Sequence, residues 1–103
     1  MKYRVEFNPE ARADLLDLYD YIAEESGEGR ALAYIARIEE ACLSLETFPV
    51  RGKLLKGIRP GLRVLGFERR VSIAFQVNPG VVAIFRILYG GRDLNRALEQ
   101  GSK

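Results

Sequence analysis

Arg63, Arg69, Arg70, Arg86 and Arg92 fall within thirty residues of one another, and Tyr89 stands among them. A guanidinium keeps its proton near neutral pH, so these side chains suit clamping phosphates or carboxylates rather than acid–base work. A tyrosine beside them can stack on a base. The chain has no histidine, which removes Ser-His and Cys-His pairs, and its one cysteine, Cys42, cannot build a zinc site. Asp14, Asp17, Asp20 and Glu24 have the spacing of a helix face and lack the glycine of a calcium loop, so they read as an acidic, solvated face. Gly90-Gly91 has neither the spacing nor the following lysine of a nucleotide loop. No catalytic residue, metal or cofactor is expected. The arginine-rich segment is expected to grip a polyanion or a protein.

Charge is divided unevenly around that segment. Residues 1–50 carry 5 Lys/Arg and 11 Asp/Glu (−6), and residues 51–103 carry 11 and 3 (+8), which sums to the net +2. With only four lysines among the 16 basic residues, 12 are arginine, the better residue for bidentate and stacked contacts. Two readings follow: acidic helices neutralising a basic sheet, or a basic surface for a nucleic-acid or acidic partner.

A length of 103 residues sets one domain, 1–103, and 48% hydrophobic with 29% charged residues sets a globular one. A lone cysteine in a helical apolar pattern reads as a buried small side chain and fits a reducing cytoplasm. The start, MKYRVEFNPEA, alternates instead of forming a signal-peptide core, and no apolar run nears the ~20 residues of a membrane helix. The expectation is a soluble, cytoplasmic chain with no membrane contact.

The elements that must position the arginines come next. Tyr3, Val5 and Phe7 alternate with Lys2, Arg4 and Glu6 as a half-buried strand. Asn8-Pro9-Glu10 predicts a helix start with Asn8 as cap, and Ala11, Leu15, Leu18, Tyr19 and Ile22 share one arc of a helix to about Glu25. Ser26-Gly27-Glu28-Gly29 ends it. A second helix, about Arg30 to Thr47, buries Ala31, Tyr34, Ile35, Ile38, Ala41, Cys42 and Leu45. It carries a second strip, Leu32, Ala36 and Leu43, roughly 100° away. The expected arrangement is a helix wedged between its neighbour and the sheet, and the rival is an exposed apolar groove awaiting another chain. Val50 to Pro60 reads as a basic loop. Strands follow at Leu62–Phe67, Arg70–Val77 and Val81–Leu88, with a turn at Asn78-Pro79-Gly80.

The order is β-α-α-β-β-β: an α+β domain with a helical hairpin on a small, mainly antiparallel sheet. The tail from Arg92 onward is expected to be a short helical turn or a mobile end, with mobility from about residue 95. In such a meander Arg63, Arg70, Arg86 and Arg92 could converge on one face with Tyr89 at its rim. Arg86 also admits a second reading, its stem in the core and its head on a helix carboxylate. Arg59 and Arg63 flank Pro60-Gly61 and could decorate a turn.

Taken in order, these pieces resemble the ParE branch of the RelE/ParE toxins. The resemblance lies in YRVEFNPEARADLLDLYDYIAEES, the helix from Ala33-Tyr34 to Leu45, Phe48-Pro49, RPGLRVLGFERRVSIAFQV and VVAIFRILYGGRDL, nearly the whole chain to about Leu94. It implies a non-enzymatic toxin of a type II toxin–antitoxin system that inhibits DNA gyrase and blocks replication, touching DNA through gyrase. It also implies a ParD-like antitoxin that neutralises the toxin in a hetero-oligomer. By position, Arg63, Arg70, Arg86 and Arg92 match the family's arginines, and Tyr89 stands where ParE relatives often have histidine. The second strip, Leu32, Ala36 and Leu43 with Leu16 of the first helix, would suit an antitoxin helix. Two alternatives stay open: a RelE-like ribosome-dependent mRNA endonuclease that needs no metal, and a non-toxic relative kept for antitoxin binding.

Overall fold

A computed structural model describes residues 2–57 and 59–90. Strand β1 (Arg4–Phe7) leads into helix α1 (Pro9–Ser26), which starts where Pro9 fixes φ and lacks an N–H that the first turn would leave unpaired. Asn8 caps through its backbone only: its carbonyl accepts from the Arg12 N–H at 3.1 Å, and its side chain makes no cap bond. Helix α2 (Glu28–Leu43) follows after a single residue. Gly27 lies at φ 96, closes α1 on the Ala23 carbonyl and opens α2 for the Ala31 N–H. The four-residue break expected from Ser26 to Gly29 therefore shrinks to one residue. Glu28 sits in the first turn, where an acid meets the helix dipole.

The expected helix to Thr47 tightens at its end into a 3-10 turn, Ser44–Glu46. A two-residue strand β2 (Lys53–Leu54) interrupts the expected loop, then come β3 (Leu62–Phe67), β4 (Val71–Asn78) and β5 (Val81–Tyr89). The sheet runs β1-β5-β4-β3-β2, antiparallel except for β1 beside β5. The expected α+β architecture holds, with one strand added. Gly52, at φ 72, lies where any Cβ would strike the Val64 carbonyl, so β2 can approach β3 only through a glycine.

The helices cover one sheet face. Ala11, Leu15 and Leu18 of α1 and Ile38 and Cys42 of α2 bury against Ile73, Phe75, Val82, Ile84 and Ile87. Cys42 is fully buried, as expected, and burial pushes its thiol up to about 12. On the other face Leu62 and Ala74 form a smaller cluster with Leu55, Val64 and Phe85, and the Arg59 guanidinium lies 4.7 Å from the Phe85 ring centre. A β-bulge joins the two faces. Ala74 pairs with Arg86 but Phe75 pairs with Ile84, so Phe85 is the extra residue. That shift sends both Ile84 and Ile87 to the helical face and re-aims Arg86. Among the described residues no helix is long and apolar enough to cross a membrane.

Candidate functional site

Arg70 and Tyr89 meet. They line a cleft of about 450 Å³ between the helical hairpin and the β3–β4 turn, with Tyr21, Tyr34, Arg30, Arg37 and Glu68 among its walls. The Gly90 N–H donates to the Arg70 carbonyl at 2.8 Å and ties the end of β5 to the start of β4. Tyr89 lies 5.8 Å from Tyr21 and stands edge-on to Tyr34 at 6.3 Å between ring centres. The Tyr34 hydroxyl is buried and has no hydrogen-bond partner among the described residues. Burial first, then the Glu68 charge, hold its pKa above the usual tyrosine value, so it remains a donor.

The turn over this cleft is strained. Glu68 and Arg69 lie at φ 49 and 63, the left-handed pair of a type I′ hairpin, where Asn-Gly is usual. The Arg70 N–H closes the turn on the Phe67 carbonyl at 3.2 Å. Across the cleft, Arg37 donates through Nε and Nη2 to the two Glu68 oxygens at 3.1 and 3.2 Å, while its guanidinium lies 5.1 Å from the Tyr34 ring centre. A left-handed residue costs roughly 1–2 kcal/mol, and glycine returns about 0.5–1 of that in chain entropy. Arg69→Gly is therefore expected to raise stability by about 0.5–1 kcal/mol, read as a melting temperature several degrees higher. An unchanged or lower melting temperature would mean the turn carries no such strain.

Arg86 behaves differently. Its Nε and Nη2 donate to the two Asp14 oxygens at 2.8 and 2.9 Å, and Asp14 also accepts the Ile87 N–H at 2.8 Å. Side-chain exposures are 20% for Arg86 and 7% for Asp14. The hydrogen bonds to Asp14 raise the Arg86 pKa further above its ordinary value, against the opposing effect of burial. Strand β1 stops pairing at Ile84, and the Asp14 carboxylate takes up the next exposed N–H on that edge of β5. Asp14 is thus buried, not part of a solvated acidic face. Its signal was present: Ala11, Asp14, Leu15 and Leu18 have the i, i+3, i+4, i+7 spacing of a buried stripe.

The expected convergence of arginines is partial. Arg63 sits at the opposite end of β3 from the cleft, paired across from Phe75, and its Nη1 reaches the Arg51 carbonyl at 3.4 Å. The six-residue strand, at ~3.3 Å per residue, keeps it far from Arg70. Arg92 and the tail from about residue 95 lie outside the described residues. Tyr21, Tyr34, Arg30, Arg37 and Glu68 escaped the sequence reading. Tyr34 looks like any core residue of α2, and no local pattern announces that the β3–β4 turn folds toward the hairpin.

A second depression, about 480 Å³, runs along the outer face of the hairpin between Arg12, Leu15, Leu16 and Tyr19 of α1 and Leu32, Ile35 and Glu39 of α2. Leu16 is 67% exposed, Leu32 62% and Leu43 46%, and Ala36 is exposed beside them. The strip on α2 is therefore not wedged against the sheet. One stripe of α2 already fills the space between α1 and the strands, and the other faces out. Leu16 and Leu32 share the groove, while Ala36 and Leu43 continue its stripe along α2. Among the described residues no group of three His, Cys, Asp or Glu side chains is placed to hold a metal.

This architecture has known counterparts. A chain of the chromosomal ParDE toxin–antitoxin system from P. aeruginosa is 28% identical, with a TM-score of 0.75 over 86% of this chain and 97% of that one. A chain of the toxin–antitoxin complex RelBE2 from Mycobacterium tuberculosis shares the fold at 22% identity and a TM-score of 0.66, covering 86% and 99%. A mutant of the E. coli toxin RelE in the free state does so at 13% identity and 0.69, covering 99% and 98%. No curated protein matches significantly in sequence. The model of the ParE toxin of type II toxin–antitoxin systems, parDE, matches residues 5–94, and the chain belongs to that family.

Proposed function

We propose that this chain poisons DNA gyrase and is held inactive by a ParD-like antitoxin seated on its helical hairpin. The antitoxin half rests on one observation above others: Leu16 and Leu32 face each other across an apolar groove that the described residues leave uncovered. The similarity to a ParDE system from P. aeruginosa supports the pairing. The gyrase half rests on family membership, since a fold alone carries no target.

Target contact is assigned to Arg70 and Tyr89 in the cleft, with Arg63 and Arg92 as further basic contacts. Arg86 enters as a positioning residue, because its guanidinium is committed to Asp14 beneath β5. The cytoplasm, where gyrase and its DNA are found, is the proposed place of action.

Induction of the chain without antitoxin, followed by pulse labelling, tests the assignment. DNA synthesis is expected to fall within minutes while translation continues, and purified gyrase is expected to accumulate cleaved DNA. Early loss of translation with DNA synthesis intact would overturn the gyrase reading in favour of mRNA cleavage. No growth defect would leave a non-toxic antitoxin-binding relative. Arg70→Glu is expected to weaken toxicity by ~10-fold or more without changing the melting curve, since Arg70 is exposed and its guanidinium has no ion pair among the described residues.

A further inference from the structure

We infer that the cleft under the β3–β4 turn is a receptor for a nucleoside phosphate, and that Glu68 is its built-in competitor. Three features that the fold does not require meet there. Arg37 engages its fork with a carboxylate carried on a turn in which Glu68 and Arg69 are both left-handed. Such strain at side chains other than glycine persists where the surroundings over-determine it and clusters at ligand clamps and switches. The buried Tyr34 hydroxyl has no hydrogen-bond partner among the described residues, and Glu68, Arg37 and Arg70 all act on it electrostatically, so these charges converge on one donor. Arg30 and Arg70 line the same space, and neither guanidinium has an ion pair or hydrogen bond among the described residues.

The ligand class follows from charge and shape. With Glu68 turned away, Arg37 and Arg70 present two guanidinium groups and the Tyr34 hydroxyl a donor. A phosphate monoester, with charge near −2 and three acceptor oxygens, matches that set better than a single carboxylate. Tyr21 is half exposed beside Tyr89 and offers a ring face on which a planar base can stack. A cleft of about 450 Å³ lies within the ~300–1,000 Å³ range of small-ligand sites. Glu68 and the phosphate compete for one fork, so in the resting cleft the Arg37 guanidinium is occupied by an internal anion until a stronger one displaces it. This goes beyond the gyrase assignment. It uses Arg70 and Tyr89 without depending on what the toxin poisons.

Isothermal titration of the full chain tests it without cells or gyrase, so its failure is separate from that of the growth assay. The probes are adenosine 5′-monophosphate, inorganic phosphate and a ten-residue single-stranded oligothymidylate. The mononucleotide is expected to bind more tightly than inorganic phosphate. Glu68→Gln should tighten it by ~3–10-fold by removing the competitor, and Arg70→Ala should weaken it by ~10-fold or more. A residue that merely braces the turn would not move affinity upward when neutralised. Tighter binding of the oligonucleotide, with the same response to both variants, would identify a nucleic-acid strand as the source of the phosphate. No saturable binding to the wild type or to Glu68→Gln, or binding unchanged by Arg70→Ala, would overturn the proposal. Circular dichroism on each variant confirms that the fold is intact before either result is read.

Discussion

Asp14→Ala is expected to cost about 3–5 kcal/mol, the usual penalty for breaking a buried ion pair from one side. A domain of this size has ~5–15 kcal/mol in all, so the change consumes about a fifth or more of its stability. At ~4–8 °C per kcal/mol, the melting temperature should fall by roughly 12–40 °C. Two losses combine. The Arg86 guanidinium, only 20% exposed, loses the carboxylate that binds it at two points, and the Ile87 N–H loses its acceptor at the open edge of β5. Asp14→Asn keeps an acceptor for one donor and should fall between the alanine variant and the wild type. The double variant Asp14→Leu with Arg86→Met should recover much of the loss, because a well-packed apolar pair can replace a buried ionic one. A fall of less than ~1 kcal/mol for Asp14→Ala would mean that the carboxylate contributes little to holding β5.

The same pair changes how toxicity data at Arg86 must be interpreted. Charge reversal there places two carboxylates together beneath the sheet, so growth inhibition would vanish through unfolding alone. Arg70 is the cleaner probe of target contact: its side chain is exposed, and among the described residues only its backbone is hydrogen-bonded, to Phe67 and Gly90. Loss of toxicity in a folded Arg70→Glu protein speaks of recognition. The same loss at Arg86 speaks of stability until a melting curve says otherwise.

Periodicity carried most of the architecture. The strands β3, β4 and β5 fell within a residue or two of their expected bounds because alternation and turn chemistry agreed in each. What escaped was what depends on approach between distant segments. Strand β2 forms because Gly52 lets the chain close on Val64, and a lone glycine in a basic loop announces no strand. The parallel pairing of β1 with β5 joins residues nearly eighty apart in sequence. The bulge at Phe85 swaps the inward set of β5 partway along, so Arg86 could not be assigned to a face by counting twos. Asp14 was legible in part: its spacing placed it on the buried stripe, but its charge argued for solvent, and only the Arg86 partner resolves the conflict. The cleft was half legible. Arg70 and Tyr89 stood out by type, whereas Tyr34 and Glu68 became notable only through a buried hydroxyl and a left-handed φ.

Leu32→Asp is expected to weaken antitoxin binding by about 2–4 kcal/mol, or ~30–1,000-fold, as truncation of a central anchor does at other interfaces. Leu32 is 62% exposed in the free chain, so an aspartate there stays hydrated and leaves folding almost untouched. In the proposed complex the carboxylate would be buried beside Leu16 and Ile35 with no cation facing it from the groove except Arg12 at its margin. Leu16→Asp should act alike from the other wall. Leu43 lies eleven residues beyond Leu32, about 16 Å along the helix, and it does not line the groove. Its replacement should therefore cost under ~1 kcal/mol, as rim positions do. Pull-down of the co-expressed pair gives the ranking. Growth gives its consequence: the Leu32 variant should remain toxic when its antitoxin is present, whereas the Leu43 variant should be neutralised. Equal losses at all three leucines would move the partner's path onto the whole outer stripe of α2. Wild-type neutralisation of both Leu16→Asp and Leu32→Asp would place the antitoxin elsewhere on the toxin, and the exposed groove would lose its assigned occupant.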